Sequence, residues 1–77
     1  MTGSQIRARR AAGRISGDLL CRKAAIKRTR LSGIERGYIE PTAAELNQII
    51  VALEDLLRAR QELIAVAAEV GWPPETL

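Results

Sequence analysis

The chain has 77 residues, which is enough for one small domain, and it holds a single cysteine and no histidine. These counts exclude an intrachain disulfide scaffold, a Cys/His zinc site and histidine-based general catalysis. The formal net charge of +3 and the 47% apolar fraction predict a folded, basic domain rather than a disordered tail. With only Tyr38 and Trp72 aromatic, the core must be aliphatic, which favours packed helices.

The net charge hides a division. Residues 1–40 sum to +7, while residues 41–77 sum to −4. The first half suits a polyanionic partner and the second would be repelled by one. The opening residues are polar and basic, and no long apolar run follows, so a soluble, intracellular protein without a membrane segment is expected.

Taken in chain order, the punctuation by glycine and proline leaves four helical segments. The first covers about Ser4 to Ala12, anchored by Ile6 and closed by Gly13. Ser16 is a good N-cap for the second, which runs to about Ala24 with Asp18 in its first turn, where the helix dipole favours an anion. Leu20 and Ala24 share its inner face, and Cys21 beside them reads as a buried, inert thiol.

Ala25, Ile26 and Lys27 separate this segment from a third at about Arg28 to Arg36, with Gly37 placed to end it in the left-handed conformation. Leu31 and Ile34 define the inner face of the third segment. Its outer face carries Thr29, Ser32, Gly33 and Arg36, with Arg28 and Arg30 at the margins. A short helix with a small, polar and basic outer face suits a groove lined by phosphates, and the short link to the preceding helix is the spacing of a helix-turn-helix.

The fourth segment begins with Thr42 and Glu45 spaced as a capping box after Pro41, and runs without glycine or proline to Val70. Its apolar residues recur at three and four, from Leu46 through Val70. At 1.5 Å per residue it would reach ~43 Å, longer than a small domain needs. Either it breaks near Glu54-Asp55 or its distal half packs on a second chain; the second is the favoured expectation. The expected division is therefore a 1–53 domain and a 54–77 helical extension.

The run Ser16, Leu20-Cys21, Ala24-Ala25-Ile26, Leu31-Ser32 and Ile34-Glu35-Arg36-Gly37 resembles, without gaps, the helix-turn-helix of the lambda-repressor/Cro (XRE-type) regulators. The resemblance covers about residues 4–53. It departs at Gly17, where the family usually has glutamine, at Ala25, the usual turn glycine, and at Lys27, the usual serine cap.

The resemblance implies an all-α, lambda-repressor-like domain, to which the length and apolar stripe of the fourth segment add a long C-terminal helix used for dimerisation. By the same resemblance, Lys27, Arg28, Thr29, Arg30 and Gly33 are assigned to base edges in the major groove. Arg14, Ser16, Gly17, Arg36 and Tyr38 are assigned to backbone phosphates. An Arg10–Glu35 pair would tie the first helix to the third. Leu53, Leu56, Leu57, Leu63, Ile64, Ala67, Val70 and Trp72 are the expected dimer interface.

The implied function is that of a sequence-specific regulator, a repressor for choice, binding an inverted repeat in duplex DNA as a homodimer in a bacterial or phage cytoplasm, at the nucleoid. The alternative is an antitoxin or adaptor whose C-terminal helix engages a different protein. No catalytic role, cofactor or metal is expected. Leu19 lies on a face the family usually leaves polar and has no assigned role.

Overall fold

The structure is a computed structural model and describes residues 1–73. Four helices follow one another: α1 (Gly3–Ala12), α2 (Gly17–Ala24), α3 (Arg28–Glu35) and α4 (Ala43–Glu69), and the described residues contain no strand.

Local chemistry sets the helix starts. Thr2 and Gln5 form a capping box on α1: Thr2 Oγ1 accepts from the Gln5 amide at 3.2 Å and Gln5 Oε1 from the Thr2 amide at 2.8 Å. Helix α1 therefore begins slightly earlier than the sequence pattern predicts. Ser16 Oγ accepts from the Leu19 amide at 3.0 Å, and Thr42 and Glu45 close the expected box on α4. Lys27 caps α3 with no side-chain hydrogen bond.

All four helices end in the same way. Arg14, Ala25, Gly37 and Gly71 each hold a positive φ. The amides of Ile15, Ile26, Tyr38 and Trp72 then reach back to the carbonyls of Arg10, Cys21, Gly33 and Ala67, which is the Schellman pattern. In the first of these turns the left-handed residue is Arg14, one past the Gly13 that closes the segment. Gly13 packs closely beneath Leu57: a Cβ there would run into Leu57 Cδ2 and displace the end of that side chain.

The core is aliphatic, as composition requires. Ile6, Ile15, Leu20, Leu31, Ile34, Ile49 and Leu53 are buried together with Cys21, Ala24 and Ala52, and Ile26, Ile39, Leu46, Leu56 and Leu57 pack around them. Each large aliphatic side chain so buried contributes ~1.5–3 kcal/mol relative to remaining exposed.

Helix α4 passes Glu54-Asp55 without a break. The boundary expected at 53/54 therefore falls inside a continuous helix. The molecule extends 43 × 19 × 18 Å, and 27 helical residues at 1.5 Å rise, ~40 Å, account for the long dimension. Among the described residues, none beyond Leu57 joins the core.

This overturns part of the expected dimer interface. Leu53 is fully buried in the chain's own core and is unavailable to a second chain. Leu56 and Leu57 are half-buried against that core, and Ala67, 2% exposed, is already covered at the helix end where Trp72 turns back. Ile64 is half-buried. The large exposed apolar residues among those described in the distal half are Leu63 (49%), Val66 (55%), Val70 (63%) and Trp72 (61%). Of these, Val66 was not among those expected.

Candidate nucleic-acid interface

Helices α2 and α3 are joined by a three-residue turn whose path is fixed at its middle. Ile26 packs on the core, and its amide donates to the Cys21 carbonyl at 3.0 Å. Ala25 before it takes φ 58°, ψ 45°, and Lys27 after it returns to an extended conformation. Leu31, Ile34 and Glu35 are the buried face of α3, which turns Lys27, Arg28, Thr29 and Arg36 to solvent.

Two bidentate ion pairs hold α3 from both ends. Near its C-terminus, Glu35 accepts from Arg10 Nε at 2.9 Å and Nη2 at 3.0 Å, and Arg10 Nη1 donates to the Ile15 carbonyl at 3.1 Å. The pair was expected, and it is well buried: side-chain exposure is 15% for Arg10 and 4% for Glu35. The hydrogen bonds from Arg10 to Glu35 push the guanidinium's pKa further up, against the opposing effect of burial. With all three of its guanidinium nitrogens donating, Arg10 ties α1 to α3 at a defined angle.

At the other end, Arg30 donates through Nε and Nη2 to the two carboxylate oxygens of Glu45, the Nη2 bond measuring 2.7 Å. The same carboxylate accepts from the Thr42 amide at 2.9 Å, so one residue caps α4 and anchors α3. Arg30 above all, and the Thr42 amide after it, lower the Glu45 pKa to about 2. The Arg30 pKa is raised by the same bonds.

These contacts revise the sequence assignments. Arg30 is engaged by Glu45 rather than presented to a base edge. Gly33 faces Ile39: a Cβ on Gly33 would meet Ile39 Cδ1 and Cγ1, so its missing side chain serves the turn after α3, not the outer surface. Gly17 is buried beneath the guanidinium of Arg28, not open to a phosphate.

The remaining residues stand on the surface. Ser16, Arg14, Arg36 and Tyr38 are exposed, with Tyr38 81% accessible. The guanidinium of Arg28, at the start of α3, packs over Gly17 at the start of α2. Arg36 and Tyr38 lie at the other end of α3, ~12 Å along its axis.

Asp18, Glu45 and Ile39 were not singled out as partners of α3. Asp18 Oδ1 lies 3.2 Å from Arg28 Nε, and Glu45 takes Arg30. Both acids were legible only as first-turn or capping residues, because their partners come from other helices. Burial raises the pKa of the Cys21 thiol, in keeping with a core role. Leu19 is 44% exposed, and nothing in the structure explains its apolar character.

Among the described residues no cluster of acids and cysteine has the makings of a metal site, and no helix is long and apolar enough to cross a membrane. No protein-family model matches this chain, and neither does any curated protein or solved structure.

Proposed function

We propose that this chain is a sequence-specific DNA-binding regulator of the lambda-repressor/Cro type, with α2, its turn and α3 acting as a helix-turn-helix. The observation that carries the reading is α3 itself. It is short, clamped at both ends by bidentate arginine–glutamate pairs, and it turns Lys27, Arg28 and Thr29 outward on a half of the chain that sums to +7. A rigid helix with that outer face is suited to the major groove, where Arg28 pairs with guanine O6 and N7 and Thr29 meets a thymine methyl or a neighbouring edge. Arg14, Ser16, Arg36 and Tyr38 contact phosphates on either side and set the register.

Two copies related by a two-fold axis present their α3 helices to successive major grooves, ~34 Å apart. The distal half of α4 supplies the contact between copies. Leu63, Val66 and Val70 are exposed at alternating spacings of three and four, as in a two-helix seam. Repression follows from occupying an inverted repeat that overlaps a promoter.

The same exposed stripe also favours a second reading, an antitoxin or adaptor whose α4 binds a different protein. A chain that stays monomeric at high concentration and forms a tight complex with another protein selects that reading.

The test of DNA recognition is selection of duplexes from a random pool with the purified protein, followed by salt titration of the winner and of a shuffled control. An inverted repeat should emerge, with affinity for it falling steeply with salt and exceeding that for the shuffled duplex by at least 10³-fold, the usual order for specific binders. Equal affinity for both duplexes at every salt concentration contradicts the proposal.

A further inference from the structure

One cation at the outer edge of α3 has a built seat. A Cβ added to Gly17 would lie 2.6 Å from Arg28 Cζ, 2.7 Å from Nη2 and 2.9 Å from Nη1. The central carbon is nearest and both terminal nitrogens follow closely, so the guanidinium lies flat across the glycine rather than meeting it end-on. Asp18 holds one edge of the plane, with Oδ1 at 3.2 Å from Nε. No other hydrogen bond or ion pair engages Arg28 among the described residues. The Nη1/Nη2 edge is thereby left as a pair of parallel donors, the arrangement that guanine O6 and N7 accept in bidentate pairing.

We infer that Gly17 and Asp18 are positioning residues for Arg28, and that base discrimination by this interface requires glycine at position 17. The inference rests on the DNA-binding reading above. An arginine loose in solvent loses its rotamer freedom when it docks, and one already seated loses less. Asp18 and Arg28 are 73% and 49% exposed, so their ion pair alone holds the side chain only weakly. The flat floor provided by Gly17 is the part that no other residue type can supply. A side chain at this position occupies the place of the guanidinium.

The variant Gly17→Ala separates this role from folding. The atoms in the way are the far end of a flexible side chain, and alanine is the better helix former, so Arg28 swings off while α2 persists. Three measurements decide the inference: the melting temperature, the ratio of affinities for the selected duplex and a shuffled one, and the ordering of the Arg28 side-chain Nε–H by NMR without DNA. Gly17→Ala should melt no lower than the parent and lose about tenfold in the affinity ratio, with little further loss when combined with Arg28→Ala. Asp18→Asn should lower the ratio in the same direction by less. The Nε–H should be ordered in the parent and mobile in Gly17→Ala.

An unchanged ratio in Gly17→Ala, or a loss fully additive with Arg28→Ala, overturns the inference. A parent chain that prefers no duplex overturns the DNA reading instead, and with it Arg28 as a base reader. The NMR measurement then judges the seat alone: ordering that survives in Gly17→Ala refutes it, and ordering lost in the variant supports it.

Discussion

Ala25 and Arg14 occupy the left-handed region with φ of 58° and 55°, a conformation that costs an L side chain ~1–2 kcal/mol. Glycine would remove that strain but adds unfolded-chain freedom worth about 0.4–1 kcal/mol. Ala25→Gly is therefore expected to stabilise the fold by about 0.5–1 kcal/mol, read as a shift of the urea midpoint at unchanged slope. A destabilised variant would mean that the Ala25 methyl makes a contact worth more than the strain.

The carboxylate of Glu45 gives a pH signature with a definite sign. Its folded pKa of about 2 lies below the ordinary 4.5, so its contribution is fully present above pH 4.5 and is lost as pH falls through that window toward 2. Acid titration of stability should show this loss in the parent, and Glu45→Gln should lack that component while being less stable at neutral pH. Identical acid profiles for the two proteins would deny the Arg30–Glu45 pair any energetic role.

At this scale the sequence is informative wherever the chemistry is local. Ser16, Thr42 with Glu45, and Gly37 each act within one turn of where they stand, and each is found in the expected place. The roles of Gly17, Gly33 and Arg30 were not legible, because Arg28, Ile39 and Glu45 reach them from other elements.

Among the elements, α3 depends most on its neighbours. Eight residues are too few to be stable as a helix alone, and Lys27 gives no side-chain cap. Its order comes from Leu31 and Ile34 in the core and from the two arginine–glutamate clamps. Glu35→Gln leaves the largely buried Arg10 guanidinium without its charge partner and should cost about 3 kcal/mol, a large part of the stability of a domain this small. Glu54→Gln, on the exposed side of α4, should stay within about 0.5 kcal/mol of the parent in the same denaturant assay. Equal effects of the two substitutions would reduce the Arg10–Glu35 pair to a surface contact.

Helix α4 shows where periodicity misleads. Its apolar residues read as one stripe, yet the structure divides them into an inner set, Ile49, Leu53 and Leu57, and an outer set, Leu63, Val66 and Val70. At ~100° per residue Leu63 and Val70 stay close in azimuth to Ala52 and Leu56, so the outer set is exposed because the core ends at Leu57, not because the helix turns it away. Leu53 was thus assigned to a second chain although its own core claims it. Continuity through Glu54-Asp55 was an open choice in the sequence, since the segment has strong helix formers throughout and no breaker.

For the whole molecule, shape and charge point the same way. A body carrying the basic residues sits at one part of a 43 Å axis, and the far part is a helix end with exposed Leu63, Val66, Val70 and Trp72. The proposed self-association through that end would make the melting temperature rise with protein concentration. Leu63→Glu, at an exposed position, should leave the helical content intact, shift sedimentation to the monomer and weaken binding to a two-half-site duplex far more than to a single half-site. A parent that sediments as a monomer at every concentration would assign the stripe to another protein.

The claim on which the regulator reading stands is that α3 faces the duplex. Backbone amide shift mapping during titration with the selected duplex tests it directly. The largest perturbations should fall on residues 16–18, 27–30 and 36–38, with residues 63–70 unaffected at constant oligomeric state. Perturbations confined to the distal half of α4, or none along α3 at saturating duplex, would contradict the account.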